Sequence, residues 1–261
     1  MIINVIGSGS AFSKINNTSS IHIVDKQKNQ WLVDCGPTVP RAVWQNNIGI
    51  NDIDAIYFTH IHPDHSSGLA ALINQWKSFN RTAKLDVFCQ HDQQPALESL
   101  VELAIWPETE LCFDIHWHRI EDEFSWKHWE IQSANTQHEM SNRALRLTID
   151  DRVLFYSGDG RPTPASEALM QGSDIAFQEC ASFEGLPDDS SHGDLLDCIR
   201  LLDSQNIKAL GIYHCFDEDI PKLEKAVQSQ ARLFISHDCL SIDLNSFDIR
   251  AYKKGSCSGS V

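Results

Sequence analysis

The sequence predicts a layered α/β protein, and three observations carry that expectation. Short apolar runs of strand length alternate with segments of helical periodicity along the chain. The polar groups best suited to chemistry gather where one such run ends and a helix begins, the usual place for ligands in layered α/β proteins. The 261 residues are also enough to bury a substantial core as one continuous sandwich.

Residues 2–6 form the first expected strand. Gly7-Ser8-Gly9-Ser10-Ala11 follows and looks superficially like a dinucleotide loop, but a third glycine and a helix are missing, because residues 14–20 are polar, Asn-rich and turn-like. Strands at 21–24 and 31–34 complete a β-meander that ends at Asp34-Cys35-Gly36. The apolar run 53–58 reads as a buried strand, and Thr59-His60-Ile61-His62-Pro63-Asp64-His65 comes directly after it. Three histidines and one aspartate thus occupy the six positions 60–65. So many polar groups crowded at a strand end call for a cation to offset their desolvation. Ser66-Ser67-Gly68 then opens a helical pattern through Leu69, Leu72, Ile73 and Trp76.

The pattern H-x-H-x-D-H, complete here as His60, His62, Asp64 and His65, resembles the signature of hydrolases with the metallo-β-lactamase fold. The resemblance covers residues 1–250 and implies an αββα sandwich, two mixed β-sheets with helices on the outer faces, as one hydrolase domain. Residues 251–261, Ser/Gly-rich from Gly255 onward, are expected to be a flexible C-terminal tail. In that family the first two histidines of the motif bind one metal, and the Asp-His pair binds a second. The Asp34-Cys35-Gly36 strand end resembles the start of the same fold.

Further along, 85–89 is an expected strand and 96–106 an amphipathic helix stopped by Pro107. His116 and His118 share one face of a strand at 114–119, and with no acid or third ligand beside them they read as surface residues. Trp117, Trp126 and Trp129 read as sheet packing. A strand at 131–134 leads to His138, in the place from which the family brings one more histidine to the first metal. Strands at 144–149 and 153–156, joined by Asp150-Asp151, form a hairpin. They run into Ser157-Gly158-Asp159-Gly160-Arg161-Pro162, which resembles the S-G-D-T-R-P turn of the tRNase Z-like branch with Gly160 replacing threonine. That replacement removes a hydroxyl from around the ligands. In such a small-residue turn Asp159 can reach inward and bridge two cations.

A short helix at 165–170 and a strand at 175–178 precede Glu179, which resembles an acid of the same branch. His192-Gly193-Asp194 opens a helix whose buried face is expected at Leu195, Leu196, Ile199, Leu201 and Leu202. His192 falls where tRNase Z-like and cyclic phosphodiesterase enzymes carry an H-x-T or H-x-D motif. The histidine of that motif acts on the substrate phosphate or the leaving group rather than on metal. A strand at 210–213 delivers His214, matching the last ligand of the second metal. The acidic Asp217-Glu218-Asp219, a helix at 221–228 and strands at 233–235 and 240–244 are expected to finish the sheet.

The resemblance therefore implies that His60, His62 and His138 hold one metal, Asp64, His65 and His214 the other, and that Asp159 bridges them. Asp64, His192 and Glu179 are the expected catalytic residues, with Glu179 orienting His192, which either protonates the leaving oxygen or binds the phosphate. Histidine and carboxylate ligands suit two divalent ions, Zn²⁺ by default, with Mn²⁺ or Fe²⁺ as alternatives. Two such ions would lower the pKa of a bridging water to about 7 and supply hydroxide at neutral pH, leaving about one positive charge to attract an anionic ester. The expected activity is a binuclear metal-dependent hydrolysis. The 20 residues between His138 and Asp159 are mostly strand and leave no room for the long arm of tRNA-processing members. The expected substrate is thus a small or cyclic phosphodiester, such as a cyclic nucleotide or a sugar cyclic phosphate.

Composition narrows the partners. With 21 basic and 36 acidic residues the net charge is -15, which argues against a general nucleic-acid surface. It leaves room for a small anionic substrate, since surface fields are screened over about 8 Å at physiological salt. No stretch approaches the ~20 apolar residues of a membrane span, and Met1-Ile2-Ile3-Asn4 lacks the marks of a signal peptide, so a cytoplasmic protein away from membranes is expected. A homodimer is compatible with the sequence. The eight cysteines contain no C-x-x-C pair and read as reduced thiols. Cys215, next to His214, points to the opposite face of its strand and reads as buried. The alternatives are another ester, thioester or lactam hydrolase of the same fold, or a non-catalytic metal-binding carrier protein. A flavodiiron-type oxidoreductase would want glutamate in place of His62.

Overall fold

Side-chain alternation decides which way the strands face. In β3 (Gln30–Val33) and β4 (Ala55–Tyr57), Trp31, Val33, Ala55 and Tyr57 enter one core while Leu32 and Ile56 enter another. A strand buried on both faces requires cover on both, and the chain supplies it with a second sheet on one side and helices on the other. The computed structural model describes residues 1–246 and the backbone of 248–251. Its first sheet runs β15 (Asp248–Ala251), β14 (Leu240–Asp243), β1 (Ile2–Gly7), β2 (Ser20–Val24), β3, β4, β5 (Leu85–Cys89) and β6 (Ile115–Arg119). The second runs β13 (Leu233–Ile235), β12 (Leu210–Tyr213), β11 (Ile175–Glu179), β10 (Arg152–Tyr156), β9 (Arg143–Ile149), β8 (Trp129–Asn135) and β7 (Glu123–Trp126).

Both sheets are mixed. β3 to β6 pair in parallel, as do β10 to β13, and the remaining ladders are antiparallel. α1 (Val39–Gln45), α3 (Leu69–Ser78) and α4 (Gln94–Ile105) cover the outer face of the first sheet. α5 (Pro164–Met170), α6 (Leu195–Ser204) and α7 (Ile220–Val227) cover the second. The result is the αββα sandwich that the resemblance implies. Between the sheets Trp31 lies at the middle of an aromatic cluster, with Phe88, Trp129 and Trp126 at centroid distances of 4.8, 5.2 and 5.4 Å.

Several sequence expectations need correcting. The last expected strands do not finish one sheet: β13 extends the second, whereas β14 crosses back to lie antiparallel to β1, where Leu240 and Ile242 enter the inter-sheet core. Leu196 is 64% exposed, because the buried stripe of α6 runs through Leu195, Cys198, Leu201 and Leu202 and position 196 lies about 100° away from 195. α1, β7 and β15 were not anticipated. Ala251 ends β15, and the remainder of the expected flexible tail, 252–261, lies outside the described residues.

The hairpin at Asp150-Asp151 has φ of 50° and 61°, the pair of positive values that a two-residue type I′ turn needs. None of the described cysteines forms a disulfide, Cys215 is buried in the outer core of the second sheet, and Cys257 lies outside the described residues. Among the described residues no helix is long and apolar enough to cross a membrane. The C-terminal ends of β3 and β4 in one sheet and of β10, β11 and β12 in the other carry the polar residues described next.

Candidate metal centre

The motif segment owes its shape to Pro63. Proline opens the short helix α2 (Pro63–Ser66), and His62 before it is held extended at φ −53°, ψ 148°. The chain thereby turns sharply between His62 and Asp64, sending His60 and His62 to one side and Asp64 and His65 to the other. His62 Nδ1 lies 3.1 Å from His60 Nε2 and 3.1 Å from Nε2 of His138, which arrives beyond the end of β8. On the other side His65 Nε2 is 3.3 Å from Asp64 Oδ2, and His214 Nε2 is 3.4 Å from the same oxygen.

Asp159 stands between the two sets. Its Oδ1 is 3.2 Å from His65 Nε2, and its Oδ2 is 3.3 Å from His214 Nε2 and 3.9 Å from His60 Nε2. Ligand atoms of His60, His62 and His138 lie within 4.8 Å of one another, and so do those of Asp64, His65, Asp159 and His214. All seven residues expected to bind metal are therefore brought together.

The turn that delivers Asp159 is forced by its neighbours. Gly158 and Gly160 have φ of 63° and 106°, and a Cβ on Gly160 would sit 2.6 Å from the Gln137 carbonyl and 2.7 Å from Thr136 Oγ1. A hydroxyl does reach this turn from outside it, because Thr136 Oγ1 donates to the Asp159 carbonyl. Asn142 Oδ1 accepts from the Asp159 N–H at 3.1 Å, and its Nδ2 donates to the Ser157 carbonyl at 2.9 Å. His214 is held at φ 60° just beyond β12, with its N–H donating to the Ser8 carbonyl at 2.8 Å.

The donor set fits a pair of cations. His65 Nε2 and Asp159 Oδ1 are buried and make no hydrogen bond, although they face each other across a gap of salt-bridge length. In three of the five histidines the nitrogen turned away from the centre is engaged, which fixes the tautomer, whereas His214 Nδ1 is buried without a hydrogen bond, 3.6 Å from Glu179 Oε1. His65 Nδ1 donates to Asp34 Oδ2 at 2.9 Å, and His138 Nδ1 donates to the Ser191 carbonyl at 2.9 Å. Thr59 Oγ1 donates to Asp34 and is left to accept from His60 Nδ1 at 3.1 Å. Each of these three rings thus turns an unprotonated Nε2 inward when a cation is present.

Charge in the centre is balanced internally. Burial, reinforced by the neighbouring histidines, holds His60 well below the ordinary histidine range, and burial with His138 lowers His62. Burial would lower His65 and His214 too, but Asp159 with Asp34 and Asp64 raises both. Burial alone would raise the Asp159 carboxyl, yet His214 and His65 hold it far below the ordinary carboxylate range.

His192 stands beside this arrangement. Its Nδ1 lies 2.5 Å from Glu179 Oε1, and the other Glu179 oxygen accepts the Gly160 N–H. The hydrogen bond to Glu179 outweighs burial and raises the His192 pKa to about 9. The ring sits 5.2 Å from that of His138 and 5.9 Å from that of His214, on the wall of a cavity of about 870 Å³ that also reaches His62, Asp64 and Asp159. Asp159, Glu179, His192 and His214 also lie close enough to form a further metal-binding set. Proximity alone therefore does not separate His192 from the ligands.

Sequence reasoning missed Asp34, Thr136 and Asn142. Asp34 is fully buried with φ 60°, and besides His65 it takes the Thr59 N–H at 2.8 Å. Its place at the end of a readable strand was visible, but its partner was not. His116 and His118 are half-exposed, turned to Asp86 at 3.5 and 3.0 Å on the edge strand β6, and take no part in the centre.

Comparisons with known proteins agree with this geometry. A family model described as Anti-Pycsar protein Apyc1 matches residues 1–239. The Anti-Pycsar protein Apyc1 of Paenibacillus xerothermodurans is 31% identical over 173 residues, covering 61% of this chain and 66% of that protein. This chain thus spans slightly less than two thirds of that relative's length. Ribonuclease Z of Archaeoglobus fulgidus is 21% identical over an alignment of 305 positions that covers 94% of this chain and 98% of that protein. The metallo-beta-lactamase fold protein YhfI from Bacillus subtilis superposes with a TM-score of 0.77 at 16% identity, over 92% of this chain and 97% of that one.

Proposed function

The chain belongs to the family described as Anti-Pycsar protein Apyc1, within the tRNase Z and phosphodiesterase branch of the metallo-β-lactamase fold, and from there we propose that it is a binuclear metal-dependent hydrolase of small or cyclic phosphodiesters. His60, His62 and His138 would hold one ion, Asp64, His65 and His214 the other, and Asp159 both. When bound, the ions supply a water-derived nucleophile at neutral pH and positive charge for an anionic ester.

The chain's own residues then divide the remaining work. Asp34, Thr59 and the Ser191 carbonyl keep three ligand rings in one tautomer and one orientation. Glu179 accepts the hydrogen bond that His192 Nδ1–H donates, which leaves Nε2–H of the protonated ring to donate toward the cavity. As water adds to phosphorus and one P–O bond breaks, the departing oxygen gains its proton from His192 Nε2, and Glu179 offsets the charge on the ring beforehand. The cavity of about 870 Å³ is of small-molecule size, and Glu139, Asp217 and Glu218 on its lining disfavour a long polyanion. A cyclic nucleotide is the substrate we place first.

The observation that carries this reading is the His192–Glu179 pair set beside two clusters, His60 with His62 and His138, and Asp64 with His65, Asp159 and His214, with Asp159 Oδ2 3.9 Å from His60 Nε2. Purified protein should open a 3′,5′-cyclic nucleotide to the linear monophosphate and cleave a bis-aryl phosphodiester, with both activities lost on chelation and restored by Zn²⁺ or Mn²⁺. Turnover of a thioester or a lactam with neither phosphodiester touched would replace the reading by the other hydrolases of the fold. Metal uptake with no turnover of any of them would make the protein a carrier.

A further inference from the structure

One wall of the cavity is built differently from its floor. The floor is polar, with His62, Asp64, Asp159, His192 and His214, whereas residues 10–15, between β1 and β2, bring Phe12 and Ile15 to the lining. Phe12 is 92% exposed and Ile15 68%, and Phe216, 38% exposed, lines the same cavity. Neither phenylalanine belongs to any of the three apolar cores.

A single exposed apolar side chain is ordinary. Here, however, the segment that carries Phe12 is fastened. Ser13 Oγ donates to Asp217 Oδ1 at 2.6 Å, and the Lys14 N–H donates to Asp217 Oδ2 at 2.7 Å. Ser13 Oγ also accepts the Ile15 and Asn16 N–H groups at 3.2 and 3.0 Å. At its foot the Gly9 N–H donates to the Asn17 carbonyl at 2.8 Å, and Gly9 bridges to Cys215. Asp217, the anchor, is the chain neighbour of Phe216. One carboxylate therefore ties the Phe12 segment to the Phe216 segment and keeps both at the cavity, with their rings outside the core.

We infer that Phe12 and Phe216 are specificity-determining residues that receive the flat face of a nucleobase while the phosphodiester end of the same molecule lies on the ligand-lined floor. The inference rests on the phosphodiesterase reading for its substrate and deepens it. An apolar wall beside a cation-binding floor suits a ligand with a planar apolar part and an anionic part. A sugar phosphate would leave both rings in water, and a long acyl chain would need more apolar surface than two rings and Ile15 provide. Phenyl rings carry no hydrogen-bonding group to read a base edge, so the preference should be for a base and largely indifferent to which base, as expected of stacking.

The test measures binding as well as turnover. Calorimetry on the metal-loaded protein would compare AMP and CMP with ribose 5-phosphate, which has the sugar and phosphate but no base. Wild type should bind either nucleotide about tenfold or more tightly than ribose 5-phosphate, the low end of what one base stack contributes, and AMP and CMP should agree within about threefold. Phe12→Ala should reduce that preference to about threefold or less, Phe216→Ala should reduce it in the same direction, and Phe12→Trp should keep it. Leu103→Ala, an exposed apolar residue on α4, should leave the preference as in wild type. A wild-type preference near one, or a preference that survives both alanine substitutions, overturns the inference, as does an equal fall in Leu103→Ala. Nucleotide preference without phosphodiester cleavage would overturn the reading of function and leave the stacking wall standing. Cleavage without the preference would do the reverse.

Discussion

At position 192 two influences oppose each other: burial favours the neutral ring, and the Glu179 carboxylate favours the protonated one and prevails. That outcome suits a proton donor. His192→Ala should therefore leave about two ions per chain and a folded protein while turnover of a phosphodiester falls by about 10²-fold or more, the scale of losing a positioned acid. The loss should be larger for an alkyl leaving group than for an aryl one, because the aryl oxide needs little protonation. Equal losses would point instead to binding of the phosphate oxygens, and loss of an ion on elemental analysis would move His192 into the set it forms with Asp159, Glu179 and His214. Gly160 shows why a departure from a familiar pattern is better read in three dimensions. A threonine there would collide with Gln137, and the hydroxyl that does bond this turn comes from Thr136, 24 residues earlier in the chain.

At the scale of elements, Asp25 joins the two sheets at the hairpin between β2 and β3. It accepts the Asn29 N–H at 2.8 Å and side-chain amide at 2.6 Å, and it reaches across to Trp129 Nε1 of β8 at 2.8 Å. Burial would raise its pKa, but these donors outweigh burial and lower it. A carboxyl depressed on folding stabilises the native state fully above its unfolded pKa of about 3.9, and that stabilisation is lost as the pH falls through the native value. Asp25→Asn should lower the urea midpoint at pH 7, and its deficit against wild type should shrink between pH 4 and pH 2. A deficit that stays constant over that range would show that the carboxylate's charge is not what matters. Elements of this kind also show what could be read from sequence. His60, His62, Asp64 and His65 were legible because they are contiguous, and Asp159 and His214 because each follows an apolar strand that declares itself. Asp34 also follows such a strand, but its meaning depends on His65, 31 residues away, and no local periodicity records that meeting. β7 was missed because Trp126 is its one buried residue, and β14 was assigned to the wrong neighbour because sheet membership is fixed by distant pairing rather than by alternation.

Taken as a whole, the molecule places the residues proposed to hold metal on both sheets. His60, His62, Asp64 and His65 come from the first, and His138, Asp159 and His214 come from the second, so each proposed cation set spans the seam between the two layers. Elemental analysis should find close to two transition-metal ions per chain, and Asp159→Ala should lower occupancy at both positions. A variant that keeps both ions would show that Asp159 is not the shared ligand. Because the ions bind the native state and not the unfolded one, chelation should lower the melting temperature by several degrees, about 2.7 kcal/mol of stabilisation being expected when free metal exceeds its dissociation constant a hundredfold. An unchanged melting curve would rule out a structural share for the ions. The order in which these ligands leave the ribosome has its own consequence. The histidine set is complete once residue 138 has been made, whereas the second set waits for position 214, late in the chain. A chain cut short before position 214 would lack one of the seven residues proposed to hold the pair, so full metal loading would mark a polypeptide whose synthesis has passed all seven.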